Sequence, residues 1–146
     1  IIRKHRLWEF FLVEKLGFNW DEVHEVAEQL EHIKSEKLID KLDKLLEFPK
    51  YDPHGDPIPD KDGNFKVIDK WLLSELSAND KGICVGVKDS SSQFLKFLDK
   101  NKIALGDVIE VVDKEDFDGS FQLKVNANSF NVSNQIASNL FVQLTD

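Results

Sequence analysis

The chain has 146 residues, a formal net charge of −8 and a hydrophobic content of 41%. This length allows one domain or two small ones, and the apolar content is enough for a packed core. The acidic balance argues against a nucleic-acid-binding surface, because phosphate contacts need clustered Lys and Arg. The single cysteine, Cys84, excludes an internal disulfide and favours a reducing, cytoplasmic location. No apolar run approaches the ~20 residues of a membrane span, so we expect no membrane partner.

The first 48 residues carry a helical pattern. The apolar residues before Gly17 suit a first amphipathic helix that ends at this glycine. Asn19 or Asp21 can cap a second helix, and Ser35 can cap a third. The last two helices can also form one bent helix. The apolar stripe predicted for the third helix is Leu38, Leu42, Leu45 and Leu46.

The remainder of the chain contains a proline-rich stretch followed by a region with the pattern of short strands. The stretch "PKYDPHGDPIPDKDG" holds all four prolines, which predicts a loop or linker. After it, five short strands are predicted, with a helix in "SSSQFLKFLDKN" between the first two. The predicted strands are "GICVGVKD", "DVIEVVDK", "SFQLKVN", "SFNVS" and "LFVQL". The expected fold is α+β: an all-α domain over residues 1–60, a linker over 61–73, and an SH3-like barrel over 74–146.

The segment "DEVHEVAEQLEH" carries a stripe of possible metal ligands. At ~100° per residue, a helix would place its two histidines and two of its glutamates within an arc of about 100°. Its apolar residues fall on a different arc. The stripe consists of His24, Glu28, Glu31 and His32.

His5 and Glu9 form a second pair with the same i, i+4 spacing as His24 and Glu28. Residues four apart on a helix are neighbours, so two such pairs on adjacent helices could converge on one cation. Imidazole with carboxylate suits Mn, Fe, Zn, Co or Ni. The alternative is a solvated helix face, since His/Glu pairs at this spacing are common on helix surfaces.

The first helix and the turn after it contain more aromatic side chains than two or three helices can bury. They are Trp8, Phe10, Phe11, Phe18 and Trp20. They could pack against an N-terminal part, because the chain begins without Met and already in a helical pattern. The interpretation that we favour is a helix–helix homodimer interface.

Three motifs together resemble one family. "R-x-H-R-L-x-E", "V-H-x-x-A-x-x-x-E-H" and "D-P-H-G-x-P-I-P" are similar to the dimerisation and metal-binding domain of the DtxR/MntR family of metal-dependent transcriptional repressors. The resemblance covers about the first 60 residues strongly. The C-terminal zone resembles, with a weaker signal, the SH3-like FeoA-type domain of the three-domain members.

The resemblance implies two metal sites. His5, Glu9 and His24 match the ligands of the ancillary site, and Glu28, Glu31 and His32 match those of the primary site. Gln93 aligns with a third-domain ligand, whereas its partner glutamate falls at Ser90 or Asp89. Glu28 stands where iron-responsive members usually have Cys. A carboxylate at this position favours Mn²⁺, with Fe²⁺ as the alternative and Zn, Co or Ni as ions that could bind in vitro.

The function implied is the metal-sensing, dimerising part of a manganese- or iron-dependent repressor, and not an enzyme. The family reads DNA with an N-terminal winged helix-turn-helix, which this chain does not match, so DNA binding is expected only through such a domain. Two alternatives are a di-metal metalloenzyme and a metal-independent dimerisation module. His54 is predicted to have a structural role in a turn, and Cys84 to face a small core.

Overall fold

A computed structural model describes residues 1–145. The chain forms two compact units, the first spanning Ile1–Val67 and the second beginning at Ile68. The first unit is helical and the second is built on an antiparallel sheet, so the predicted α+β fold is confirmed. The predicted domain limits remain a prediction. Within residues 1–145, the helices are too short or too polar to cross a membrane.

The first unit contains three helices: α1 (Ile2–Leu16), α2 (Val23–Leu30) and α3 (Glu36–Leu45). Gly17 ends α1 with φ 74°, a left-handed conformation that suits glycine. The Ser35 hydroxyl caps α3 by accepting the Leu38 N–H at 3.1 Å. Both of these predicted helix ends are confirmed.

The second helix differs from the prediction at both ends. Its N-cap is Glu22, with no side-chain cap, so Asn19 and Asp21 were the wrong choices. The helix ends at Leu30 and is separate from α3, because the chain turns there and the Ile33 N–H bonds back to the Leu30 carbonyl. His32 therefore lies beyond the helix, and the helical stripe that included it was wrong.

The first unit buries one apolar core between its helices and the loop after them. The buried set is Leu7, Trp8, Leu12, Val23, Ala27, Ile39, Leu42, Leu46 and Ile58. The predicted stripe on α3 was partly wrong, since Leu38 is 41% and Leu45 is 62% exposed. Ile39 takes their place, because Ile39, Leu42 and Leu46 follow the i, i+3, i+7 spacing of one helix face.

The second unit contains a six-stranded antiparallel sheet in the order β1-β6-β2-β3-β4-β5. The strands are β1 (Trp71–Leu72), β2 (Lys81–Val87), β3 (Val108–Lys114), β4 (Phe121–Val125), β5 (Asn128–Val132) and β6 (Leu140–Leu144). A 3-10 turn (Leu73–Glu75) and the helices α4 (Ser92–Lys100) and α5 (Asn134–Ala137) complete it. The five predicted strands are β2 to β6. β1 was missed because two residues are too few to show an alternating pattern.

The core of this unit lies on one face of the sheet. Cys84 is 1% exposed on β2 and pairs with Val142 on β6, which confirms its predicted place in the core. Gly82 permits the close approach of these strands, since an added Cβ would lie 2.9 Å from the Val142 Cβ. The inner residues of β4, Phe121, Leu123 and Val125, are also buried.

Candidate metal centre

The centre is built around Glu9, a carboxylate that is 3% exposed in the middle of α1. His5 lies one helical turn before it, and the His5 Nε2 is 3.5 Å from the Glu9 Oε2. A carboxylate buried to this extent needs hydrogen bonds, a positive charge or a metal ion to offset its lost hydration. The surroundings of Glu9 therefore decide what this site can do.

The loop at residues 52–56 supplies two further groups. The Asp52 Oδ1 accepts the backbone N–H groups of His54 and Asp56, both at 2.9 Å. Gly55, with φ 89°, allows the tight turn, and Arg6 of α1 donates to the Pro57 carbonyl and so holds the loop against the helix. This confirms the predicted turn and brings two side chains, Asp52 and His54, to Glu9.

His54 is oriented by the chain between α1 and α2. Its Nε2 lies 2.7 Å from the Trp20 carbonyl oxygen, and its ring stacks on Trp20 with centroids 6.1 Å apart. Because a carbonyl can only accept, Nε2 must carry the proton and donate. In the neutral ring this leaves the Nδ1 lone pair pointing at the Glu9 Oε2, 3.5 Å away.

The Glu9 Oε2 therefore faces a ring nitrogen on each side, from His5 and from His54. Two lone pairs that face each other repel unless a proton or a cation lies between them. Histidine ligands of metals commonly donate their other N–H to a carbonyl, as His54 does to Trp20. This arrangement fits a metal site built from imidazole and carboxylate donors.

The pKa values of the buried carboxyl groups are shifted in opposite directions. Burial, with the nearby Glu9 charge as the next cause, raises the pKa of Asp52 to about 8, and the two side chains are hydrogen-bonded. Burial also acts to raise the pKa of Glu9, but hydrogen bonds with His5 and Asp52 and the charge of His54 outweigh it and lower the pKa. Near neutral pH, Glu9 is thus the ionised member of the pair.

His5 is positioned between two acidic side chains. Its Nδ1 lies 3.4 Å from the Glu31 Oε2, on the side of the ring opposite Glu9. A hydrogen bond with Glu9 raises the pKa of His5 despite the opposing effect of burial, and Glu31 adds to the rise. The His24 ring is 4.8 Å from the His5 ring, centroid to centroid.

Within the described part of the chain, the side chains form two groups of three possible ligands. One is His5, Glu9 and His24, and the other is Glu9, Asp52 and His54. In each group the ligand atoms lie within 4.8 Å of one another. The first group brings together the three residues predicted for the ancillary site.

The residues predicted for the primary site are less closely assembled. Glu28, Glu31 and His32 do not form such a group among residues 1–145, and His32 is exposed past the end of α2. Glu28 pairs instead with His24, at 3.8 Å. Gln93 is exposed on α4, in the second unit. The metal-ligand roles of these four residues remain predictions.

Sequence reasoning missed Asp52 and gave His54 only a structural role. The spacing of the two residues in "DPHG" was a usable signal, because an Asp that accepts the backbone N–H two residues later forms a tight turn that keeps the two residues close together. What the sequence could not show is that this loop packs onto Glu9.

Comparisons with known proteins identify both units of the chain as domains of known families. Residues 1–60 match the domain described as "Iron dependent repressor, metal binding and dimerisation domain", and residues 72–144 match the FeoA domain. The iron-dependent repressor IdeR of Mycobacterium tuberculosis is 46% identical over 59 residues, which is 40% of this chain and 26% of that protein. A Chlamydia trachomatis protein named "Probable metal transport system membrane protein" is 48% identical over 59 residues, 40% of this chain and 13% of that protein.

Among solved structures, a manganese-dependent transcriptional repressor in complex with manganese superposes with a TM-score of 0.92 and 33% sequence identity. The match covers 99% of this chain and 69% of that one. The fold and the matched domains define a metal-binding and dimerisation module. The chain belongs to the DtxR/MntR family of metal-dependent transcriptional repressors. It matches only about a quarter or less of the length of the two curated relatives above.

Proposed function

We propose that this chain is the metal-sensing and dimerising part of a metal-dependent transcriptional repressor, with Mn²⁺ as the favoured ion and Fe²⁺ as the alternative. The observation that supports metal sensing is the buried Glu9 Oε2, which faces ring nitrogens of His5 and His54 at 3.5 Å. A cation bound by these groups would remove the repulsion between the lone pairs of His54 and Glu9 and would join α1 to the loop at residues 52–56. Metal binding would thereby favour one arrangement of the helical unit over others.

The donor set supports the choice of ion. The five residues of the two groups offer only imidazole nitrogens and carboxylate oxygens. The one cysteine, Cys84, is buried in the core of the second unit. Imidazole and carboxylate without thiolate suit Mn²⁺ and Fe²⁺, whereas softer ions prefer sulfur. Zn, Co and Ni remain ions that could bind in vitro.

We further propose that the chain forms a homodimer through its N-terminal helices. Ile2 and Leu16, near the two ends of α1, are each 57% exposed, and Phe10 and Phe11 are only partly buried. Apolar side chains exposed on one helix are a surface that a second copy can cover. In the whole protein, DNA contact is proposed to come from a DNA-binding domain that is not among these 146 residues, because this chain is acidic.

Neither alternative function is favoured by a specific observation. A metal-independent dimerisation module would leave the facing acceptors at Glu9 without a purpose. A metalloenzyme would need an open coordination position next to a substrate pocket, and no feature of the ligand groups calls for one.

The test is thermal unfolding of the 146-residue chain with Mn²⁺, Fe²⁺ or a chelator. An ion that binds only the folded state, present at 100 times its dissociation constant, adds about 2.7 kcal/mol to the free energy of unfolding. We expect Mn²⁺ to raise the melting temperature and the chelator to reverse the rise. An unchanged melting temperature with every divalent ion would refute metal sensing by this chain.

A further inference from the structure

Glu9 belongs to both ligand groups, which share no other residue. We propose that the Glu9 carboxylate bridges two divalent cations, one held with His5 and His24 and the other with Asp52 and His54. The inference rests on the proposed metal-sensing function and adds to it a dinuclear centre in which the two ions load in a coupled manner.

The distances around Glu9 support a bridge. Its Oε2 is 3.5 Å from the His5 Nε2 and also 3.5 Å from the His54 Nδ1. A bound ion lies about 2.0–2.2 Å from such nitrogen and oxygen ligands. An ion beside the line that joins the Glu9 Oε2 to either ring nitrogen can therefore contact both atoms after a small movement of the side chains. An ionised carboxylate offers about four lone-pair sites, which is enough for two ions. In two-metal sites the ions are about 3.5–4 Å apart.

Ligands in both groups are already held in place by hydrogen bonds or ion pairs. Asp52 is fixed by the two N–H groups that bind its Oδ1. The Asp52 side chain is also hydrogen-bonded to Glu9, so an ion bound there would replace the proton of that hydrogen bond. His54 is fixed by its bond to Trp20, and His5 is held between Glu9 and Glu31. Binding at either group thus requires little rearrangement beyond the orientation of Glu9 itself.

The carboxylates around Glu9 can offset the charge of two ions. Glu9 and Asp52 are 3% and 5% exposed, and Glu31 adds a third carboxylate against the His5 ring. Metal binding releases protons from its ligands, and once an ion has replaced the Asp52 proton the three carboxylates offset most of the charge of two divalent cations. Once the first ion has oriented Glu9, the second binds to a carboxylate that is already in position.

Electron paramagnetic resonance of the 146-residue chain titrated with Mn²⁺ tests this proposal. Two Mn²⁺ ions bridged by one carboxylate give an exchange-coupled spectrum that isolated ions do not give. We expect the coupled spectrum in the native chain, and its replacement by the hyperfine pattern of an isolated ion in His54→Ala and in His24→Ala. Glu14→Ala is the control and should keep the coupled spectrum, because Glu14 is an exposed side chain of α1 that belongs to neither group.

Two outcomes would overturn the bridge. A native spectrum of isolated ions at every loading of Mn²⁺ would refute it while leaving metal sensing intact. A coupled spectrum that survives both His54→Ala and His24→Ala would place the ion pair elsewhere. Failure of the chain to bind Mn²⁺ at all would instead refute the proposed function, so the two failures are distinguishable.

Discussion

The Glu9 Oε2 and the His54 Nδ1 face each other at 3.5 Å, although α1 and the loop at residues 52–56 are far apart in the sequence. The contact exists because the other ring nitrogen of His54 donates to the Trp20 carbonyl. This bond turns an imidazole lone pair toward a carboxylate, and only a proton or a cation makes that arrangement favourable.

Substitution of Glu9 by Gln should lower the Mn²⁺ affinity of the chain by at least about 100-fold, since even changes to residues that only support metal ligands cost 10–100-fold. Gln keeps the size of the side chain but loses its charge. The measurement is isothermal titration calorimetry with Mn²⁺. Glu14→Gln is the matched control, because Glu14 is an exposed carboxylate on the same helix. Equal affinities for native chain and Glu9→Gln would contradict the assignment of Glu9.

Two substitutions of Asp52 should separate its contribution to the stability of the loop from its contribution to metal binding. Asp52→Ala leaves two backbone N–H groups without their acceptor, and we expect a loss of about 1–3 kcal/mol in the free energy of unfolding. Asp52→Asn keeps an acceptor oxygen, so it should unfold nearly as the native chain does while its Mn²⁺ affinity falls. Chemical denaturation and calorimetry on both variants check this. Undiminished Mn²⁺ affinity in Asp52→Asn would contradict a ligand role for Asp52.

A second loop provides the control for this prediction. The Asp60 Oδ1 accepts the N–H groups of Asp62 and Asn64 at 2.9 Å, which repeats the pattern of the Asp52 loop. Asp60 is exposed, so water can replace the lost acceptor in Asp60→Ala. We expect a smaller loss of stability than in Asp52→Ala and no change in Mn²⁺ affinity. A loss of stability in Asp60→Ala as large as that in Asp52→Ala would show that burial does not determine how much the loss of this acceptor destabilises the chain.

Phe11 should contribute to the proposed dimer. It is partly buried, lies on α1, and packs edge-on against Trp8 with ring centroids 5.7 Å apart. Phe11→Glu would place a charge in the apolar contact between two copies, and we expect a weakening of association by about 2 kcal/mol or more. Sedimentation velocity over a range of concentrations measures the effect.

Phe117→Glu is the matched control for the dimer prediction. Phe117 is 96% exposed in the second unit, between β3 and β4. The substitution introduces the same charge away from the N-terminal helices and should leave association unchanged. Circular dichroism confirms that each variant is folded before it is compared. A dimer in Phe11→Glu as stable as in the native chain would argue against this face.

Cys84 should be unreactive in the folded chain. Burial raises the pKa of this thiol to about 12 from its ordinary value of 9.0, and the nearby charge of Asp107 adds to the rise. Because the thiolate is the reactive form, a thiol reagent at pH 8 should label Cys84 only when denaturant is present. Rapid labelling of the native chain would contradict the burial of this residue.

The raised pKa of Cys84 also determines the direction in which the stability of the chain changes with pH. The folded state holds the Cys84 proton more tightly than the unfolded state, so this contribution to stability is present below about pH 9 and is lost as the pH rises toward 12. Alkaline unfolding of Cys84→Ala should therefore begin at a higher pH than that of the native chain. An earlier onset in the variant would contradict the sign.

Local sequence patterns were sufficient to predict most of the helices and strands. Gly17 and Ser35 act within one turn of their own helices, so their roles as helix ends could be predicted from neighbouring residues alone. The alternation of apolar and polar residues likewise identified β2 to β6. The errors arose where several local choices were equivalent, as at the start of α2, or where a turn shifted the apolar face, as on α3.

The sequence by itself determined the α+β organisation, the His5–Glu9 pair and the donor chemistry, because these depend on helix periodicity and residue type. Tertiary structure alone decided that Asp52 and His54 share Glu9 with His5 and His24. The physical reason is that the approach of the loop to α1 depends on contacts between distant residues, namely Arg6 with Pro57 and His54 with Trp20. No local spacing encodes these contacts.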